Sequence, residues 1–277
     1  GAYFGVASIV AEKLADKGKG SEAVSIMIAG MTVANLFGVP LGTSLSAMIS
    51  WRVTFLIVGC WGLVMLYYIW RWVPHVKGVK DTGFKGQFRF LRKPAPWLIL
   101  GATALGNGGV FCWYSYVTPM LIHISGFSPA SMTALMMLAG FGMVVGNLTS
   151  GRLSDRYTPG RVGATVQGMI CIILLLIFSL APHPCAALLM ASCTACLFAV
   201  SSPEQVSIIR VAAGGEMFGA ACVQVAFNLG NAIGAYCGGK VLHWGYQYPA
   251  LIGVPFALVG FILLTRYYKK YESQYHS

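Results

Sequence analysis

The chain has 277 residues, of which 57% are hydrophobic and 10% are charged, whereas soluble domains carry about 25% charged residues. Its mean hydropathy is +0.70 and its net charge is +11. This composition excludes an ordinary soluble domain. We also expect no nucleic-acid partner, because the cations separate apolar stretches and do not form one basic face.

Nine apolar stretches follow one another along the chain, and most reach the roughly 20 residues that cross a bilayer as a helix. They cover residues 1–12, 22–47, 52–74, 97–123, 129–150, 162–181, 185–210, 216–239 and 247–267. The sequence therefore predicts an all-α membrane protein. The first stretch is short and the chain opens inside it, so we expect a C-terminal portion of a longer protein.

Lys and Arg lie almost entirely in alternate connections between these stretches. Of the 19 basic residues, only Arg52 and Lys240 fall on the opposite side. Because basic loops stay on the cytoplasmic face during insertion, the pattern predicts a cytoplasmic C-terminus. Attraction to anionic lipid heads adds to the effect, so the bilayer itself is an expected partner.

An internal repeat relates the two ends of the chain. The segment Phe4–Ser8 resembles Phe198–Ser202, and Gly20–Glu22 resembles Gly214–Glu216. Parallel repeats joined by a basic linker are a plan of membrane transporters. We therefore divide the chain into four parts: part of an N-terminal bundle (1–74), a basic cytoplasmic linker (75–96), a six-helix C-terminal bundle (97–267) and a cytoplasmic tail (268–277).

The turn at residues 151–161 carries a family motif. Gly151, Asp155, Arg156 and Arg161 have the spacing Gly-x-x-x-Asp-Arg-x-x-x-x-Arg, which resembles the loop motif of the major facilitator transporters in its second-half copy. In that family the loop meets a helix N-terminus of the opposite bundle. The resemblance thus implies that Asp155 closes the inner side by contacting the span that begins near Glu22.

A second motif lies in the second stretch. Gly38, Pro40 and Gly42 resemble the antiporter motif of the family's fifth helix, although Val39 separates the first two and Thr43 replaces the last Gly. These Gly residues repeat every four positions, as do Gly residues between 230 and 238, which predicts close helix packing. Pro40 predicts a kink, and we expect this region to belong to the outer gate.

Wider similarity points to a subgroup. Four segments resemble bacterial sugar-efflux and drug-efflux permeases, with the arabinose efflux type as the best match: Gly1–Val6, Gly30–Leu36, Phe90–Ile99 and Ala226–Gly230. The resemblance implies the major facilitator fold of six plus six helices, numbers the stretches here as helices four to twelve, and implies a proton-driven exporter of the bacterial inner membrane.

Glu204 is the one acid well inside a predicted span. Placing an ionisable group in a bilayer is costly, so such a residue is a candidate for function. It is therefore a candidate for carrying the coupling proton, while the resemblance to the permeases implies that their main proton site lies on the first three helices of the fold. The alternatives are a carboxylate that reaches the inner interface and one that pairs with Arg210.

Helical spacing also predicts a substrate cavity. One group shares a face of the span at 97–123, and another shares a face of the span at 185–210. Their amides and hydroxyls suit sugar hydroxyls, and their rings suit the apolar side of a sugar or drug. The candidates are Asn107, Phe111, Tyr114, Thr194, Phe198, Ser201 and Gln205, with Gln224, Asn228 and Asn231 as weaker ones.

The sequence therefore predicts a secondary active transporter that exports an arabinose-like sugar in exchange for protons. A multidrug/proton antiporter and a non-transporting receptor or scaffold are the alternatives. We expect a monomer with no enzymatic activity, no cofactor and no metal. No nucleotide-binding loop occurs, and the pair Cys193 and Cys196 lies among apolar residues without a nearby His.

Overall fold

The structure is a computed structural model that describes residues 2–74 and 86–272. The predicted linker (75–96) and tail (268–277) therefore lie partly outside the described residues. Twelve α-helices account for most of this part of the chain. In order they are α1 (Ala2–Leu14), α2 (Gly20–Val33), α3 (Val39–Met48), α4 (Trp51–Trp72), α5 (Pro94–Tyr114), α6 (Val117–His123), α7 (Met132–Arg156), α8 (Pro159–Leu180), α9 (Ala186–Ala199), α10 (Ser201–Val211), α11 (Glu216–Lys240) and α12 (Tyr248–Tyr267).

These helices confirm the predicted all-α class and match the nine predicted stretches to within a few residues. Three stretches are pairs of helices: α2 with α3, α5 with α6, and α9 with α10. Seven helical segments in the described ranges are long and apolar enough to cross a membrane. The chain is thus a multi-pass membrane protein. One boundary differs, because the helix of α12 continues through a π-helical turn to the buried Glu272, where we expected a tail from residue 268.

Helix α5 is held between α11 and α12 by contacts between backbones. A Cβ atom added to Gly230, Gly234 or Gly238 of α11 would overlap a backbone carbonyl of α5. On the other side of α5, a Cβ atom added to Gly109 would overlap the carbonyl of Gly253 in α12, and one added to Gly253 would overlap the carbonyl of Gly109. Lipid offers no hydrophobic drive between helices, so this close approach supplies dispersion contacts in its place.

The packing role of Gly38 and Gly42 stays a prediction. Among the described residues, no atom lies within 4 Å of a Cβ built on Gly38, and a Cβ on Gly42 meets the Thr54 methyl group at 3.7 Å.

Two prolines shape the helix pairs by removing a backbone donor. Pro40 has no N–H for the carbonyl four residues before it, and a π-helical segment, Ala34–Gly38, joins α2 to α3 just ahead of it. Pro203 likewise leaves the carbonyl of Ala199 free, at the junction of α9 and α10. The Ser150 hydroxyl of α7 donates a hydrogen bond to that carbonyl.

Replacing Gly234 with Ala should push α11 away from α5 and lower the stability of the protein. Overpacking costs typically 1–3 kcal/mol, so we expect a clear fall in the apparent Tm in detergent. Gly59 of α4 has open space at its Cβ position, which makes Gly59→Ala the matched control. Equal melting temperatures for the two variants would contradict the backbone contact between α5 and α11.

Candidate transport site: a narrow cavity and a latch between two helices

A narrow cavity lies between α1, α2, α5, α10 and α11. Its polar lining consists of Thr103, Ser201, Glu204, Gln205 and Gln224. Its apolar lining consists of Phe4, Ile28, Met31, Phe198, Val223 and Phe227. The space that a water molecule can occupy is about 30 Å³, which holds one or two waters and excludes a sugar.

Glu204 is the charged group of this cavity. It lies in the first turn of α10 and is 1% exposed. One carboxylate oxygen, Oε2, is 3.5 Å from the Asn107 amide nitrogen, while Oε1 has no protein hydrogen-bond partner in the described part of the chain. The two alternatives to a functional role do not hold here, because Glu204 does not reach the surface and Arg210, also a described residue, forms no ion pair with it.

Three of the other predicted cavity residues line the cavity: Phe198, Ser201 and Gln205. Gln205 also donates from Nε2 to the Ser8 hydroxyl at 3.0 Å, which joins α10 to α1. Gln224, a weaker candidate, lines the cavity as well.

Four predicted cavity residues lie elsewhere in this conformation. Asn107 stands behind the wall and donates to the Thr103 carbonyl and to Glu204. Phe111 packs edge-on against Tyr114 and Phe227, so only the last of these rings faces the cavity. Thr194 does not line the cavity in this structure, because it is buried against α7 and its hydroxyl donates to carbonyls of α7 and α9.

A latch between Asp155 and helix α2 joins the end of α7 to the start of α2. The N–H of Ser21 donates to Oδ1 of Asp155 at 2.9 Å, and the N–H of Glu22 donates to Oδ2 at 2.8 Å. Helix α2 begins after Lys19, whose side chain provides no cap. Asp155 therefore satisfies, from another helix, donors that an N-cap side chain normally satisfies.

Further polar contacts surround this latch. Ser202 of α10 donates to the Ser21 carbonyl at 3.0 Å, and Asn147 of α7 donates to the Ser25 carbonyl at 2.5 Å. The Glu22 side chain pairs with Arg152 at 2.7 Å, so it does not compete with Asp155 for the helix N-terminus. Together these contacts close the space between α2 and α7.

The basic residues of the loop motif do not pair with Asp155. The guanidinium groups of Arg156 and Arg161 stand 5.7 and 5.6 Å from the Tyr157 ring. Gly151 lies against the backbone and side chains of α2, and a Cβ there would overlap Ser25. Gly151 thus allows the close approach of α2, Asp155 caps α2, and Arg156 and Arg161 pack around Tyr157.

Sequence reasoning missed one anchor of this turn. The Glu272 carboxylate accepts from the Thr158 hydroxyl at 2.7 Å and from the Gly160 N–H at 2.9 Å. It caps the start of α8 and ties the end of the α12 helix to the motif loop. Its position near the C-terminus gave no signal, because the contact joins residues more than a hundred positions apart.

The family assignment comes from comparison with known proteins. The model of the Major Facilitator Superfamily matches residues 1–221. The chain belongs to the major facilitator superfamily. It is 46% identical to the protein described as "Putative transporter AraJ" of Escherichia coli (strain K12), over 99% of this chain and 70% of that protein.

Other relatives agree with this membership. "Inner membrane transport protein YdhP" of Escherichia coli O157:H7 is 33% identical over 95% of this chain and 68% of its own length. The crystal structure of the E. coli fucose:proton symporter FucP superposes with a TM-score of 0.71 at 16% identity, covering 95% of this chain and 72% of that chain. The predicted fold and the prediction of a transporter, not an enzyme, are therefore confirmed.

Replacing Asp155 with Asn should open the contact between α2 and α7. Asn keeps one acceptor oxygen but turns an amide toward a backbone N–H, and each charge-assisted hydrogen bond is worth roughly 1.5–3 kcal/mol. Labelling of Ser154→Cys, in a background without the eight native cysteines, should accelerate about tenfold or more with a membrane-impermeant maleimide. Ser154 is 2% exposed in the latched state.

Asp16→Asn is the matched control for this test. Asp16 is an exposed acid on the same side that pairs only with Lys19 at 3.5 Å, and such pairs contribute little. Labelling rates that rise equally in both variants would show that loss of charge, and not loss of the latch, opens the protein.

Proposed function

We propose that this protein exports a sugar of arabinose-like size in exchange for protons, by alternating access. The observation that carries the proposal is a single buried carboxylate, Glu204, in the wall of a cavity that also presents hydroxyl and amide groups. A proton on Glu204 and a sugar in the cavity would compete for the same few polar partners. Binding of one would then favour release of the other.

The cavity must widen for a sugar to enter, since its present space holds only water. The latch at Asp155 keeps the cytoplasmic ends of α2 and α7 together. We infer that its release lets the bundles rock apart on the inner side, while the region of Gly38, Pro40 and Gly42 closes the outer side. The backbone contacts of α5 with α11 and α12 keep the C-terminal bundle rigid during this motion.

The proposal places the protein in the bacterial inner membrane as a monomer with a cytoplasmic C-terminus. The asymmetric distribution of Lys and Arg supports this orientation. The description of the relative YdhP as an inner membrane transport protein supports a location in the inner membrane. The basic linker and the Asp155 latch would then lie on the same, inner face.

A second candidate is the export of amphipathic organic cations or drugs. Three Phe rings and the flexible Met31 line the cavity beside one acid. Such a surface adapts to varied apolar shapes, and a carboxylate attracts cations. A receptor or scaffold without transport, the third possibility, is not supported by membership of a transporter family.

Proton release from inverted vesicles with an acidic interior tests both candidates. A pH-sensitive fluorophore should report release when arabinose or a related sugar is added, and Glu204→Gln should abolish that release. Sugar exchange without net proton movement should persist in the variant, because the cavity remains. Glu216→Gln, at the start of α11 and outside the cavity lining, should retain coupled transport.

Release with cationic dyes alone would favour the second candidate. Release that survives in Glu204→Gln would contradict the coupling role of Glu204. Silence with sugars and dyes, in intact vesicles that contain the protein, would contradict proton exchange.

Gln224→Ala should weaken sugar binding by roughly tenfold, seen as a higher KM with little change in maximal rate. A lost hydrogen bond to a neutral group costs about 0.5–1.5 kcal/mol, and one that leaves a buried partner unpaired costs more. Asn228→Ala is the matched control. Asn228 was a weaker candidate for the cavity, but it is exposed and does not line it; it lies one turn from Gln224 and its amide donates to the Gln224 carbonyl. An equal rise in KM for both variants would argue against Gln224 as a sugar contact.

A further inference from the structure

The Glu204 carboxylate is buried without a compensating positive charge. It is 1% exposed, and its oxygen Oε1 has no hydrogen-bond partner in the part of the chain that the structure describes. None of the other residues that line the narrow cavity is charged or titratable. Burying an unpaired carboxylate within a membrane costs much free energy, so the charged form of Glu204 requires a cation from outside the cavity wall.

Two further side-chain oxygens near this carboxylate also lack a donor. The Asn107 amide nitrogen donates to the Thr103 carbonyl at 2.9 Å and stands 3.5 Å from Glu204 Oε2. This orients the amide, and the buried Asn107 Oδ1 has no hydrogen-bond partner among the described residues. The Thr103 hydroxyl lies beside the carboxylate but gives its one hydrogen to the Ile99 carbonyl at 3.0 Å, so its oxygen can only accept.

A monovalent cation fits these three oxygens better than a proton, a water molecule or a divalent ion. One proton on Oε1 can donate to only one of the other two oxygens. A water molecule donates to two oxygens but leaves the carboxylate charge buried. A divalent ion would leave excess positive charge beside a single carboxylate, and the described residues hold no cluster of three or more His, Cys, Asp or Glu.

The break between α9 and α10 is typical of such an ion site. Transporters often bind a coupling ion where a membrane helix is discontinuous near the bilayer midplane. Helix α9 ends at Ala199 and α10 begins at Ser201, so Glu204 lies in the first turn after the break. The cavity offers about 30 Å³ to water, which suits a sodium ion, similar in size to a water molecule, better than the larger potassium ion.

We propose that a sodium ion binds to Glu204 Oε1, with the side-chain oxygens of Thr103 and Asn107 and cavity water as its other ligands. This inference rests on the proposed coupling role of Glu204 and extends it, because sodium and a proton then compete for the same carboxylate. Sodium binds when the proton has left, so that each ion neutralises the buried charge in turn.

Binding of radioactive sodium-22 to the purified protein, in detergent and sodium-free buffer, tests the site directly. We expect a single bound ion that unlabelled sodium displaces and that choline, which is too large for the cavity, does not. Acid should also displace it, since Glu204 is the only titratable group among the residues that line the cavity. Displacement by choline as effective as by sodium, or binding that acid does not weaken, would overturn the proposal.

Substitutions at two positions identify the ligands. Glu204→Gln keeps the size of the side chain and should abolish sodium binding. Thr103→Val removes the hydroxyl oxygen and keeps the shape, and it should weaken binding roughly tenfold, the change expected when one contact to a charged group is lost. Thr103→Ser keeps the oxygen and should bind as the wild type does.

Glu216→Gln is the matched control for these variants. Glu216 also has a buried oxygen without a hydrogen-bond partner among the described residues, but it does not line the cavity. The melting temperature of each variant in detergent verifies that it is folded. Equal loss of sodium binding in folded Glu204→Gln and Glu216→Gln would overturn the assignment.

Proton release from inverted vesicles separates this inference from the proposed function. In choline buffer without sodium, added sugar should release protons, and sodium on both sides of the membrane should reduce that release. Proton release that sodium does not affect, from a protein that binds no sodium-22, would overturn the sodium site and leave sugar/proton exchange standing. Sodium-22 binding without sugar-driven proton release would support the sodium site and contradict proton exchange.

Discussion

The contact between α2 and α7 depends on a helix whose own N-cap residue provides no capping side chain. Helix α2 starts at a Gly after Lys19, and its first donors find their acceptors on Asp155 of α7. An unsatisfied backbone N–H costs more free energy in a low-dielectric surrounding than in water. Separating α2 from Asp155 would leave two such donors unpaired and would also lose the attraction between the carboxylate and the helix dipole. Ser202 and Asn147 donate further hydrogen bonds to carbonyls of α2 beside this latch.

Two kinds of contact join the helices. Between α5, α11 and α12, backbone meets backbone over several turns. Between α2 and α7, the close approach of Gly151 to Ser25 is combined with hydrogen bonds from the backbone of α2 to Asp155. In the proposed alternating access, the first kind of contact would transmit motion and the second would permit it.

Hydropathy and charge predicted much of the fold, because a bilayer forces each backbone polar group into a helix and sorts Lys and Arg by side. Glu204 could be predicted as a functional candidate because acids are rare inside membrane spans. The contact of Asp155 with α2 could be predicted because Asp155 belongs to a family motif. Helical spacing was less informative at Thr194, because periodicity groups residues on a face without saying which neighbour that face meets. The contacts of Gln205 with Ser8 and of Glu272 with Thr158 join distant parts of the chain, so no local pattern predicts them.

We infer that the Asp155 latch opens and closes during transport and is not a permanent contact. The most direct test uses pulsed electron–electron double resonance in lipid nanodiscs. It measures the distance between spin labels at Lys17→Cys and Tyr157→Cys. The account predicts two populations, a short distance that corresponds to the latched state and a longer one that gains weight when pH or added sugar is changed. A single short distance under all these conditions would contradict it.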